Sequence, residues 1–229
     1  MPSSLWNAQG NIYLVVDGEP LTPELVRAIV DDADGVLEVF RSDDDSVEIA
    51  IWNPDGSRAE MSGNGTRIAA RWLAAQTGAD YVTVRVGARE VRARMIDGVM
   101  VEQELGAVLV DEPEVVNGVR LTPVDVGNPH AVVDGDPSEV TRLGPMLEVH
   151  PRFPRRTNVQ VARVLEPGVI EARVWERGAG ETASSGTSAV AVAAAFAMSP
   201  AVIRFPGGDL HVRFEEGRAY LTGPAVRID

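Results

Sequence analysis

The chain has 229 residues, 45% of them apolar, and a formal net charge of −13. That length buries a real core and fits one large or two small domains. The acidic balance excludes a nucleic-acid partner, whose phosphates need a basic patch.

No stretch approaches the ~18 uncharged apolar residues of a membrane span. The N-terminus lacks the basic start and apolar core of a secretory signal. The expected compartment is therefore the cytoplasm, by default. Cysteine is absent, and all 21 basic residues are arginine. Without lysine there is no Schiff base for pyridoxal phosphate, no P-loop and no Ser-x-x-Lys chemistry. The three histidines, His130, His150 and His211, form no close pair, so no metal site is expected.

In chain order, Ile12 to Val16 reads as a short buried strand approached through Gly10-Asn11. Thr22 to Asp32 reads as a helix, with Thr22 as cap, Pro23 in the first position and Leu25, Ile29 and Val30 as its stripe. Val36 to Phe40 and Ser46 to Trp52 are strand-like, joined by an acidic loop. Asn53-Pro54-Asp55-Gly56 is a turn by composition. A helix follows Ser62 and stops at Gly78. Tyr81 to Val86, Arg89 to Met95 and Val99 to Glu104 are successive strands, with Asp97-Gly98 as a hairpin turn.

The second half repeats this order loosely. Arg120 to Val126 runs into Gly127-Asn128-Pro129-His130 and Ala131 to Val133, and a helix is expected over Pro137 to Leu147. Asn158 to Leu165 and Val169 to Trp175 are strands leading to Glu176-Arg177. The run from Ala189 to Met198 is apolar on every face, so it should be buried all round. Ala201 to Phe205, Leu210 to Phe214 and Ala219 to Leu221 close the chain as strands.

Two stretches carry the chemistry. One is Asn53-Pro-Asp-Gly-Ser-Arg-Ala-Glu-Met-Ser62-Gly-Asn64-Gly-Thr-Arg67. The other is Glu176-Arg177-Gly-Ala-Gly-Glu-Thr-Ala-Ser-Ser185-Gly-Thr187-Ser-Ala. Each sets a serine and a glycine at the start of an apolar helical run, and the serines stand 123 residues apart. That separation, slightly over half the chain, reads as a weak internal repeat of two similar halves. Small residues at a helix start leave the first N–H groups free for an anion, and the helix dipole favours negative charge there. Serine, threonine and asparagine are also ordinary helix caps; the pairing of the two stretches is what points to a site.

Asn11, Asn53, Asn128 and Asn158 each fall at a strand end or turn, a common place for asparagine. Their amides both donate and accept. Glu176-Arg177 at a strand end could be a surface pair, which the flanking Gly178 and Gly180 make less apt, and His130 is as well read as a loop histidine as a proton carrier. Gly178-Ala-Gly180-Glu-Thr-Ala183 matches the loose dinucleotide pattern, but Pro200 to Phe205 lacks the acidic residue that pattern expects about 20 positions on. It carries little weight.

Both stretches resemble the diaminopimelate epimerase family. Its patterns are Asn-x-Asp-Gly-Ser-x-Ala-Glu-Met-Cys-Gly-Asn-Gly-x-Arg and Glu-Arg-Gly-x-Gly-Glu-Thr-x-Ala-Cys-Gly-Thr-Gly-Ala. The resemblance covers nearly the whole chain, through Gly10-Asn11, Ala33-Asp34-Gly35, Gly127-Asn128-Pro129-His130, Phe153-Pro154, Asn158-Val159, Pro206-Gly207-Gly208 and Thr222-Gly223-Pro224. It implies an α+β fold: two pseudosymmetric α/β halves, each a curled, mostly antiparallel sheet around a central helix, with the active site in the cleft between them. The expected halves are 1–106 and 107–218, with a final strand, about 219–229, that packs with the first.

The family implies a cofactor-free amino-acid epimerase, converting LL- to meso-diaminopimelate for lysine and peptidoglycan precursors, and a homodimer. The resemblance places Asn11, Asn53, Gly63, Asn64, Asn128, Asn158, Glu176, Arg177, Gly186 and Thr187 around a substrate. It places the two catalytic cysteines of the family at Ser62 and Ser185. Ile12, Ser184 and Ser188 also depart from the family pattern, in line with natural divergence rather than a pair of introduced serines.

That exchange is chemically large. In the family one thiolate takes the α-proton while a thiol opposite returns another. A thiol starts from a pKa of about 8.5, and a helix start contributes about 0.3–1 kcal/mol, up to ~2. At about 1.36 kcal/mol per unit, that moves a pKa by roughly one unit. The shift is enough for cysteine and far too little for serine, which needs a base beside it. Three readings stay open: an epimerase working with Ser62 and Ser185, an amino-acid binder that has lost efficient inversion, and an isomerase or lyase using Glu60, Glu181 or His130 as a single base.

Overall fold

A computed structural model describes residues 2–18 and 20–229. It divides into two units, Met1–Glu104 with Thr222–Asp229, and Leu105–Leu221. Among the described residues, mostly antiparallel strands with four α-helices make it an α+β protein.

In the first unit, Ser3–Ala8 and Asn11–Asp17 form an antiparallel hairpin, turned at Gln9 and Gly10, whose φ values of 56° and 83° are left-handed. Asn11–Asp17 then runs parallel to Gly35–Ser42, with α1 (Pro23–Ile29) crossing between them. Thr22 caps α1 as expected, its Oγ1 accepting from the Leu25 N–H at 3.3 Å. Gly35–Ser42 pairs antiparallel with Ser46–Trp52. That strand pairs in turn with the short Arg58–Ala59 and, in parallel, with Tyr81–Val86. The connection to Tyr81–Val86 is α2 (Gly63–Thr77), begun at Ser62 and ended by Gly78 in the left-handed conformation. Ile68, Ala69, Ala70 and Leu73 of α2 are buried. At the chain's end, Val226–Arg227 pairs with Ser3–Ala8.

The second unit runs through the same series. Val119–Asp125 and Pro129–Asp134 are antiparallel, and Pro129–Asp134 runs parallel to Asn158–Glu166. Between them lie a 3₁₀ turn, Pro137–Glu139, and α3 (Val140–Glu148). Asn158–Glu166 pairs antiparallel with Val169–Glu176, which pairs with the short Gly180–Thr182 and, in parallel, with Ala201–Phe205. The last connection is α4 (Gly186–Ala195). Every residue of α4 from Gly186 to Ala193 is buried, and Val190 and Val192 join a cluster with Ile170, Val174, Ile203 and Leu210. A fully buried valine contributes ~1.5–3 kcal/mol, so an all-apolar helix belongs here.

The structure differs from expectation at several edges. Ser3–Ala8 is a strand the sequence hides, because its inward residues are Ser4, Trp6 and Ala8. Ser4 is tolerated inside because its Oγ accepts from the Trp6 indole at 2.8 Å. Helix α1 ends at Ile29, short of Asp32, as Asp31 turns left-handed. The helix expected from Pro137 opens as the 3₁₀ turn, capped by Asp136. Helix α4 ends at Ala195, because Ala197 adopts a left-handed φ of 50° and Met198 N–H returns to the Ala193 carbonyl. That is the hydrogen-bond closure of a Schellman end without glycine.

Gly144 lets α3 lie flat on Trp175. A Cβ there would stand 2.4 Å from Trp175 Cγ and 2.5 Å from its Cβ. Gly144→Ala is therefore expected to destabilise the fold by about 1–3 kcal/mol through overpacking. A lowered urea midpoint with an unchanged slope checks it.

Candidate active site

At the start of α2, Ser62 is extended, φ −141°, and its Oγ accepts from the Gly65 N–H at 3.0 Å. The Tyr13 hydroxyl donates to the same oxygen at 3.1 Å. Gly65 sits so close that an added Cβ would lie 3.3 Å from Ser62 Oγ and 3.1 Å from Leu37. Gly63 and Asn64 follow, both buried. The Asn64 amide nitrogen donates to Asn11 Oδ1 at 3.2 Å, and Arg67 donates to Asn64 Oδ1 at 3.0 Å. Gln103 fastens this turn from a neighbouring strand, donating to the Gly63 carbonyl and accepting from Thr66 Oγ1 and the Arg67 N–H. The structure thus brings Asn11, Ser62, Gly63 and Asn64 together. Asn53 stays in its own turn, donating to Ser57 Oγ at 2.9 Å.

In the second unit Ser185 caps α4 with the same extended backbone, φ −148°, but without a side-chain capping bond. Ser185, Gly186 and Thr187 are buried. Asn158 is also buried, and both ends of its amide are engaged. Its nitrogen donates to the Pro129 carbonyl at 3.0 Å, and its oxygen accepts from the Arg177 N–H at 3.0 Å. It staples the Asn128–His130 corner to the Glu176–Arg177 turn. Glu176 Oε1 accepts from Thr182 Oγ1 at 2.6 Å, and the Arg177 guanidinium donates to the Arg155 carbonyl at 3.0 Å.

Sequence reading missed the groups beneath these turns. Trp52 and Trp175 also stand 123 residues apart, each ten residues before its serine, and each indole N–H donates to a buried glutamate. Trp52 reaches Glu38 at 2.8 Å; the other Glu38 oxygen accepts from the Leu21 N–H, and Arg58 bonds at 3.2 Å. Trp175 reaches Glu148 at 2.7 Å; the other Glu148 oxygen accepts from the Gly178 N–H and pairs with Arg156, both at 2.8 Å. The tryptophans match in the repeat but the glutamates do not, one lying on a strand and one in α3. The signal was available in the tryptophan spacing; the glutamates carried none.

None of the three candidate single bases is hydrogen-bonded to either serine hydroxyl among the described residues. Glu60 is exposed, and Glu181 pairs with Arg173 at 2.6 Å. His130 is only 1% exposed, between Asn128 Oδ1 and the Gln160 amide, each at 3.0 Å. Burial pushes its pKa down to about 3, against the Gln160 hydrogen bond and with help from the Arg177 charge. A ring so averse to protonation is a poor base near neutrality. These surroundings favour the loop reading of His130 over the proton-carrier one.

This predicts a pH dependence. From pH 6.5 down to about 3 the unfolded chain takes up a proton that folded His130 refuses. Stability is therefore full above pH 6.5 and falls on acidification, by up to about 1.4 kcal/mol per pH unit. Urea midpoints between pH 6.5 and 5, above most carboxylate titrations, should show this slope, and His130→Gln should flatten it.

The fold recurs in solved structures of a predicted epimerase and of a probable proline racemase. The solved structure of a predicted epimerase from Pseudomonas aeruginosa overlays 99% of this chain and 96% of its own with a TM-score of 0.77, at 15% identity, a likeness of fold. The diaminopimelate epimerase family pattern matches residues 8–110 and 122–228. Diaminopimelate epimerases from Moorella thermoacetica and Pelotomaculum thermopropionicum are 38% and 36% identical, over 86% and 96% of this chain and 82% and 94% of theirs. The chain belongs to the diaminopimelate epimerase family, a family of isomerases. No helix among the described residues is long and apolar enough to cross a membrane.

Proposed function

We propose that the protein binds a diaminopimelate-type amino acid, without a cofactor, at the helix starts headed by Ser62 and Ser185, and inverts its α-carbon only slowly. One observation carries the second half of this reading. Ser62 Oγ is hydrogen-bonded by a phenol and a backbone N–H, and Ser185 has no capping bond; neither hydroxyl meets a carboxylate or an imidazole among the described residues. Two neutral donors favour an alkoxide, but by far less than a thiol-to-alcohol exchange demands. Serine reacts as a base or nucleophile when another base takes its proton, and the two ring nitrogens of His130 are engaged by Asn128 and Gln160.

The binding half rests on the family's pattern kept at Asn11, Asn64, Asn158, Glu176 and Arg177. Asn158 then acts by holding the Arg177 backbone, and Asn128 by presenting its amide beside His130. The chain works in this reading as a cytoplasmic homodimer, which sedimentation of the purified protein tests. Calorimetric titration with meso-diaminopimelate and with lysine checks the ligand class. Saturable binding of the first, weakened at least tenfold for the second, is expected; equal or absent binding of both contradicts it.

A further inference from the structure

Arg67 is fully buried, at 0% exposure. Its Nε donates to the Pro224 carbonyl at 3.0 Å and its Nη2 to Asn64 Oδ1, while its Nη1 is buried without a hydrogen-bond partner. No salt bridge to a carboxylate accompanies it among the described residues. A buried cation in this state is expensive, and proteins tolerate such groups mainly where a site requires them. Burial lowers its pKa to about 10, so it remains protonated at neutral pH.

What the guanidinium does locally follows from its chemistry. It has five N–H donors and no acceptor, so the Asn64 amide can face it only with its oxygen. The Asn64 nitrogen is thereby turned to Asn11, which must answer with Oδ1, as the 3.2 Å contact shows. Asn11 is left with its NH2 as the outward end. An isolated asparagine is free to flip between donor and acceptor; this one is not.

Building on the proposed amino-acid reading, we infer that Arg67 is a positioning residue that sets the polarity of Asn11 through Asn64. It makes Asn11 a fixed donor for an acceptor group of the ligand, a carboxylate oxygen. Arg67 touches no ligand itself. Its contribution is to selectivity, since an amide held one way accepts carboxylate and repels ammonium.

Side-chain amide NMR of the ligand-free protein tests the relay apart from any binding. The Asn64 NH2 should exchange with water at least tenfold slower than that of Asn11, and Arg67→Gln, whose amide can also accept, should abolish the difference. Equal exchange in the unaltered protein, or a difference that survives Arg67→Gln, overturns the inference. If Arg67→Gln does not fold, Asn11→Asp keeps the acceptor toward Asn64 and replaces the outward donor by an oxygen. It should weaken meso-diaminopimelate at least tenfold relative to a diamine lacking carboxylates. Unchanged selectivity in Asn11→Asp contradicts the inference. Slow Asn64 exchange together with no diaminopimelate binding by the unaltered protein would retain the relay and refute the ligand assignment.

Discussion

Replacing both serines by cysteine, Ser62→Cys with Ser185→Cys, should raise α-proton exchange of diaminopimelate by at least about 10²-fold. A positioned acid–base group contributes typically ~10²–10⁴-fold, and the thiol restores one at each helix start. Ser185 is expected to accept the change readily, since its side chain makes no capping bond. Ser62 gives up two hydrogen bonds, from Tyr13 and Gly65, worth about 0.5–1.5 kcal/mol each, so the double variant should fold with a modestly lower midpoint. Each single variant should fall well short of the double, because inversion needs both a proton taken and a proton returned. An unchanged rate in a folded, ligand-binding double variant would mean that the serines are not what limits the chemistry.

The largest stability effect is expected at Glu148. Glu148→Ala orphans two donors at once, the Trp175 indole and the Gly178 N–H. At about 1–3 kcal/mol for the orphaned Trp175 indole and less for the N–H of exposed Gly178, the loss should be ~1–4 kcal/mol. Arg156 adds little, being half exposed. The same change loosens the turn that carries Glu176 and Arg177, so ligand affinity should fall with stability. Glu148→Gln keeps one acceptor oxygen and should lose less on both counts. Urea midpoints and calorimetric affinities on the same samples check the pairing of the two losses; full stability in Glu148→Ala would dissolve the clamp.

Much of this was legible because the relevant physics is local. Ser62 and Gly78 bound α2 by capping chemistry alone, and the unbroken apolar run after Ser185 announced a helix with no solvent face. Alternation failed at Ser3–Ala8, where a serine inside the sheet is satisfied by the tryptophan two residues on. The site was legible only where the motif words are contiguous. Glu38, Glu148 and Arg67 matter through partners far away in sequence, Arg67 reaching a carbonyl 157 residues on, and no spacing rule signals that. His130 shows the same limit: its residue type suits a loop role and proton transfer alike, and its burial beside Gln160, which lowers its basicity, has no signature in the spacing.

The most direct measurement follows the α-proton signal of meso-diaminopimelate by NMR in deuterated buffer with the unaltered protein. Line broadening that reports binding is expected, with loss of the α-proton at least about 10²-fold slower than in the double-cysteine variant. Rapid exchange by the unaltered chain would contradict slow inversion, and would require a base for Ser62 and Ser185 beyond their Tyr13 and Gly65 partners.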